Sequence, residues 1–504
     1  YIVYQGGENF VATRADSVGE TTDTTFTVYG LDNNFDYFFR VSAVNSLGYE
    51  GPASDDIQTT PFYNGPTWWI ASGPGLPDAD GSKDRPFSWA HDGFSFMSPG
   101  DTVVFKAGKH SFMNGVIYDF SSFDFHIRGE TGNPRDVILS GEGSYQHFAF
   151  EGEYNVTISD LTFANGAARN DQQSSRGGGG GSLHIGQGAN VIIDNCLFYQ
   201  NSTERFGWEA GGAILAINYE NLEIRNSVFR SNGNAQGQTI AGSAIFLYNE
   251  NQDVLNTKII NNRFISNFLD IGNESDDIFR DGGIISINAT GMFEGNEIDS
   301  SRVFHNYAGA GKVSLTGAVV SWTRGSEENL ANRPLSYFTN NTIRNSYVRI
   351  SGNVNSAWFQ TDGRPLEISN NLIHNNFVTS EIQDSDVGTN NGGMGVYNYT
   401  QNIYVPQYVL NNTITNNTIE APPGGLSFGS GLNLDPGGNG SIEVVNNIIV
   451  GNFGQSSQGL EIANINWCCD SERINASNNL FDFSLGFGEN EFIGNPKFKN
   501  PSSQ

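Results

Sequence analysis

NNTITNN, residues 411–417, sets four asparagines around a Thr-Ile-Thr centre. Relatives recur as NNTIRN (340–345), NNLIHNN (370–376) and NNIIVGN (446–452). Asparagine is a poor former of strand or helix interiors, so its return at fixed places marks bends. DLTFANG (160–166), NCLFYQN (195–201), NSVFRSN (226–232), NRFISN (262–267), GNEID (295–299) and NNLF (478–481) extend the series. Successive anchors stand about 30 to 45 residues apart, a period that signals a solenoid.

Two further elements repeat in phase. A Gly-led apolar run appears as GGGSLHI (179–185), GGAILAI (211–217), GSAIFLY (242–248), GGIISI (282–287), GAVVSW (317–322), GGMGVY (392–397) and GSGLNL (429–434). A short alternating strand precedes each asparagine pair, as in NVIID, NLEIR, PLEIS, QYVLN and IEVVN. Three strands per repeat, with no helical period, predict a parallel β-helix of about ten or more coils. Alternate Ile, Val, Leu and Phe side chains would fill the tube. Asparagine would supply the left-handed backbone at the bends, its amides stacking along the axis.

Composition narrows the function. The formal net charge is −28, from 26 Lys and Arg against 54 Asp and Glu. That balance excludes a phosphate-neutralising surface for nucleic acid and a cationic face for anionic lipid. No apolar run is long enough to span a membrane. Three cysteines make no disulfide framework. Cys196 reads as a core residue, whereas the adjacent Cys468 and Cys469 admit a vicinal disulfide or a metal site. The chain reads as a segment of a longer protein.

Residues 1–61 differ from the repeats, with the short alternating strands of an antiparallel sheet. Leu31, then Tyr37, then FFRVSAVNSLGYEGPAS resemble the later strands of a fibronectin type III module, with Tyr37 at its tyrosine corner. The resemblance implies an incomplete β-sandwich acting as an extracellular spacer. Residues 62–66 are a linker, 67–110 a lead-in and cap, and 111–504 the coils.

WWIASGPGLPDADGSKDRPFSWAHDGFSFMSPGDTVVFKAGKH (68–110) resembles the lead-in of right-handed parallel β-helix proteins, with a capping helix over Phe87–Met97. The GGAI…NCxFxxN cadence is similar to repeats of polymorphic outer-membrane proteins. The resemblance, to the pectate-lyase-like superfamily and to such surface proteins, implies a secreted or bacterial cell-surface location. Several β-helix families are lyases or hydrolases, but their signatures are missing. The chain has no WIDH segment, no Lys with Arg-Gly-His, no aspartate pair with His-Gly and Arg-Ile-Lys, and no Asp-Pro-His.

Weaker constellations remain. Glu274, Asp276, Asp277 and Asp281 crowd a predicted loop and would suit calcium, although a solvated acidic loop is the plainer explanation. His305, Lys312 and Arg324 form a rare cationic group that could hold an acidic sugar or act as catalytic base and neutraliser, with ordinary surface charge the plainer explanation. Asp362 and Asp435 end Gly-led strands two coils apart, with Asn398 expected between them. They could act as a carboxylate pair or sit in a structural ladder. Trp208, Trp322, Trp358 and Tyr397 lie on or beside the Gly-led strands and would form a sugar-stacking row if they point outward.

The sequence therefore favours a non-catalytic adhesin or scaffold that contacts an extracellular polysaccharide or a cell-surface partner and needs no cofactor unless calcium. A polysaccharide lyase or glycoside hydrolase is the competing reading. Self-association into a filament through open strand edges is a third. Asn340, Asn411 and Asn416 head Asn-x-Thr triplets, but the repeat already accounts for them.

Overall fold

The computed structural model describes residues 1–74, 76–112, 118–120, 123–168, 179–203, 211–234, 242–250, 253–271, 278–305, 313–323, 330–350, 352–380, 393–398, 404–420, 430–437, 440–456, 459–467, 471–484, 488–494 and 496. The chain divides into two compact units, Tyr1–Val104 and Phe105–Gln504.

The first unit carries a four-stranded antiparallel sheet, in the order Ser17–Glu20, Ile2–Gly6, Tyr37–Ser42, Ile57–Thr59. Ile2, Val3 and Tyr4 of the central strand are buried. The Tyr37 hydroxyl accepts a hydrogen bond from the Asp32 amide at 2.8 Å. The expected capping helix is shorter than the sequence suggested, running only over Ala90–Ser95. Trp68, Phe87 and Phe96 stack beside it with centroids 5.5–6.1 Å apart. A Cβ on Gly93 of this helix would lie 2.5 Å from Ile70 Cδ1, so a larger residue there would require the Ile70 side chain to shift.

The second unit is a right-handed parallel β-helix. Sheet A runs from Phe125–Gly129 to Ile474–Ser477 and sheet B, 13-stranded, from Gly108–Ser111 to Phe492–Ile493. Sheet C, 11-stranded, runs from Tyr118–Phe120 to Ile465–Trp467. Each coil passes through A, B and C in turn, as the three repeated elements predicted. A lateral sheet D, from Phe268–Asp270 to Gly459–Ile462, follows B in the later coils; only its last pairing is antiparallel. No described helix is long and apolar enough to cross a membrane.

The asparagine pairs divide their labour. The first member takes the left-handed bend: φ is +56° at Asn411, +57° at Asn370 and +59° at Asn340. The second is fully buried and carries the ladder. Asn412 Nδ2 donates to Asn447 Oδ1 at 3.0 Å and to the Ile368 carbonyl at 2.9 Å. Its backbone amide donates to the same Asn447 Oδ1 at 2.9 Å. The pattern repeats without a break from Asn262 through Asn296, Asn341, Asn371, Asn412 and Asn447 to Asn479. A parallel ladder through Asn376, Asn417, Asn452 and Asn464 ends on the Asp482 carboxylate.

Apolar rings fill the tube between these ladders. Phe163, Phe198, Phe229 and Phe264 of sheet B stack in sequence at 4.6–5.1 Å. In the next coil sheet B changes to Ile298, and sheet A changes from Ile259 to Phe293, then Phe338. The phenylalanine that sheet B supplies up to Phe264 comes from sheet A at Phe293 and Phe338, which keeps the core volume filled across the change.

Candidate functional site

The inward side of sheet C is core, so the outward side is where chemistry can be assembled. Phe359 fixes the alternation: its ring meets Phe338 at 4.3 Å, which turns Trp358, Gln360 and Asp362 outward. Register places Ser321 beside Gln360 and Gly395 beyond it, then Asn433 and Asn466. Asp362 pairs with Tyr397, and Tyr397 with Asp435.

This face is buried. Relative exposure is 0% for Trp358, 7% for Gln360, 3% for Tyr397, 2% for Asn433 and 8% for Asp435. Part of it is a closed network. The Tyr397 hydroxyl shares a hydrogen bond with Ser356 Oγ and accepts one from Asn433 Nδ2, both at 2.8 Å. Asn466 Nδ2 donates to Asn433 Oδ1 at 2.7 Å. Gly395 is required there, because a Cβ would lie 1.8 Å from Ser356 Oγ. Asp435 Oδ1 accepts from the Gly437 amide at 3.0 Å.

The neighbouring part is open in its bonding. Trp358 Nε1, Gln360 Oε1 and Ser321 Oγ are buried and have no hydrogen-bond partner among the described residues. Single unpartnered hydroxyls also occur at Ser243, Ser301 and Ser430. At sheet C, however, a donor, an acceptor and a hydroxyl that can act as either fall on adjacent positions of one face. Buried polar atoms ordinarily find partners, and each one left unmade costs about 1–3 kcal/mol. A ligand with several hydroxyls would satisfy all three.

The structure therefore brings together four of the residues that the sequence singled out: Trp358, Tyr397, Asp362 and Asp435. It corrects their arrangement in two ways. Tyr397, not Asn398, stands between the aspartates; Asn398 follows the strand and donates to the Val405 carbonyl. Trp358 and Tyr397 are buried rather than an exposed platform. Gln360, Ser321 and Asn433 were missed, although the alternation of WFQTD and GLNLD marks Gln360 and Asn433 as outward polar positions.

Other expectations fare differently. Trp322 belongs to the core: it alternates inward, and its Nε1–H donates to the Ala289 carbonyl at 2.8 Å. The Arg364 guanidinium lies 5.7 Å over its ring and is itself bonded to the Ala289 and Thr323 carbonyls. Burial, with nearby Arg333, lowers the Arg364 pKa to about 9. His305 is 2% exposed rather than part of a surface charge group, and its amide donates to the Arg349 carbonyl. Lys312, Arg324, Trp208, Glu274, Asp276, Asp277, Cys468 and Cys469 lie outside the described residues. Asp281 ends a strand, Ile278–Asp281, instead of lying in a loop. No group of three or more His, Cys, Asp or Glu suited to a metal occurs among the described residues. Cys196 is buried, which raises its pKa to about 12, as a core thiol rather than a nucleophile.

No family model and no curated protein matches the chain. Several solved structures show remote likeness. A mannuronic acid specific polysaccharide family 6 lyase from human gut microbiota is 14% identical, with a TM-score of 0.31 over 78% of this chain and 86% of that one. The PL6 family alginate lyase AlyGC is 12% identical at a TM-score of 0.32; 84% of this chain matches about half, 53%, of that longer one. A family 28 exopolygalacturonase from Yersinia enterocolitica is 11% identical, with a TM-score of 0.24 over 94% of this chain and 86% of that one. At these values the likenesses carry no argument about the site.

Proposed function

We propose that this chain is an extracellular glycan-binding β-helix protein whose sugar seat is the outer face of sheet C, from Ser321 to Asp435. The observation that carries this reading is the buried, unpartnered set of Trp358 Nε1, Gln360 Oε1 and Ser321 Oγ. Pyranose rings offer hydroxyls to such groups and an apolar face to aromatic rings. The fibronectin-like sheet then acts as a spacer that presents the rod at the bacterial surface or outside the cell. Retention on immobilised pectate, alginate, chondroitin and neutral glucans tests the proposal. Binding to at least one, lost in Trp358→Phe, supports it; no binding to any overturns it.

A second reading, inverting glycoside hydrolysis, is favoured by one specific observation. Asp362 and Asp435 occupy the same register position two strands apart. Two sheet spacings are roughly 9–10 Å, and inverting carboxylate pairs stand ~6.5–9.5 Å apart. One carboxyl would protonate the leaving oxygen while the other activates water from the opposite side. New reducing ends that disappear in both Asp362→Asn and Asp435→Asn would establish it. Binding without any turnover would leave the adhesin or scaffold reading.

A further inference from the structure

The outward face of sheet A changes character along the rod. In the early coils its carboxylates are neutralised: Glu223 pairs with Arg225 at 2.5 Å and with Lys258 at 3.7 Å. Further on, the strands Ser336–Thr339, Leu366–Ser369, Pro406–Leu410 and Ser441–Val445 each add one outward residue to a single row. Register fixes its order as Tyr337, Glu367, Tyr408, Glu443. Their inward neighbours Phe338, Ile368, Val409 and Val444 are fully buried, so the four side chains point away from the core. All four are half-buried.

Ring and carboxylate thus alternate at every strand, ~4.8 Å per step. Neither glutamate forms an ion pair among the described residues, in contrast to Glu223. Each accepts from a neutral neighbour only: Ser369 Oγ donates to Glu367 Oε1 at 2.7 Å, and Asn475 Nδ2 to Glu443 Oε1 at 3.0 Å. The second oxygen of each carboxylate is left for a ligand. Tyr404 adds a ring beside the row; it is exposed, and its hydroxyl shares a hydrogen bond with Ser441 Oγ at 2.9 Å, on the same strand as Glu443. The cations nearest along this face stand at its ends, Lys258 two strands before Tyr337 and Arg473 just before the strand beyond Glu443.

We infer that this row on sheet A is a second ligand site, distinct from sheet C, that takes a linear amino-sugar polymer. Pyranose rings lie on the tyrosines, and ammonium groups bond to Glu367 and Glu443. Carboxylates hold ammonium through charge-assisted hydrogen bonds, and the flanking tyrosine faces add cation–π attraction. The same faces accept the apolar side of a sugar ring. The axial repeat selects a sugar over a basic peptide. A pyranose ring with its bridging oxygen is close to one sheet spacing long, so a chain laid along the rod meets ring and carboxylate in alternate steps. An extended peptide presents like-facing side chains every ~6.6 Å, out of step with carboxylates roughly 9–10 Å apart.

A net charge of −28 attracts any polycation, so the test separates local from general charge. The full chain is titrated calorimetrically with oligoglucosamine, its N-acetylated form and oligolysine, at low and high salt and at a pH where the amines are charged. Oligoglucosamine should bind, weaken with salt, and bind at least tenfold tighter than the other two. Glu367→Gln/Glu443→Gln should lose at least tenfold in affinity at an unchanged thermal midpoint, because each amide oxygen still accepts from Ser369 or Asn475. Tyr408→Leu should lose severalfold while keeping the salt dependence. Glu153→Gln/Glu461→Gln makes the same change of charge at exposed positions away from both sheet faces, and should bind as the parent does. Four results would each overturn the inference: no binding of oligoglucosamine, equal binding of its N-acetylated form, equal or tighter binding of oligolysine, or equal affinities in the two double variants.

Discussion

Two sets of buried polar side chains run along this solenoid, and they differ in how completely they are satisfied. The asparagine ladders at the bends leave nothing unmade: Asn371, Asn412 and Asn447 each donate to the next amide oxygen and to a backbone carbonyl. The outer face of sheet C is satisfied on the Tyr397–Asn433–Asn466 side and unsatisfied at Ser321, Trp358 and Gln360. Burial alone therefore does not separate scaffold from site. Where every donor has its acceptor, polar residues hold the coils in register. Where buried groups of both kinds are left over, as at Ser321, Trp358 and Gln360, the proposed glycan would supply the missing partners.

Breaking a ladder should have the largest effect on folding. Asn412→Ala leaves the backbone amide of Asn371 and one of its two Nδ2 hydrogens without an acceptor, the other still bonded to the Phe338 carbonyl, and removes the donor to the Ile368 carbonyl. A loss of about 3 kcal/mol or more follows, read as a lower midpoint in chemical denaturation. A midpoint unchanged from the parent would mean the amides are dispensable.

Acid should weaken the fold nearly as much through one histidine. His147 is fully buried between the Leu139 carbonyl and Ser182 Oγ, and burial lowers its pKa from 6.5 to about 4. The unfolded chain then binds the proton more tightly than the folded one. This contribution is complete above pH 6.5 and is lost progressively as pH falls toward about 4, to a total of about 3 kcal/mol. Stability curves from pH 7 to 4.5 should converge for the parent and His147→Gln; parallel curves would contradict the assignment.

The ring exchange between sheets offers a smaller and more discriminating effect. Phe293→Ile alone opens a cavity and should cost about 1–3 kcal/mol, while adding Ile298→Phe restores the volume in the same coil. The double variant should recover part of the loss. A double variant worse than the sum of the single ones would show that the two positions do not trade volume.

The repeat was legible because each signal is local: a bend asparagine, a Gly-led strand and an alternating strand all lie within one coil. What the sequence hid depends on register between coils. Asn398 and Tyr397 are neighbours in the chain, and only the pairing of Phe359 with Met394 decides which one meets Asp362. Trp322 and Trp358 look alike beside Gly-led strands, yet one falls on an inward position and the other on an outward one. Sheet D escaped notice for a related reason. RVF and YVRI are too short to announce a strand until neighbouring coils pair them.

The smallest stability effect belongs to the most telling variant. Gln360→Leu removes a buried oxygen that has no partner, so folding stability should hold or rise slightly. Measured on one preparation, glycan affinity and denaturation midpoint together test whether the outer face of sheet C is a sugar seat. The account predicts at least a tenfold loss of affinity with an unchanged or raised midpoint. Parental affinity with a midpoint lowered as far as that of Asn412→Ala would make Gln360 one more rung of the scaffold and contradict it.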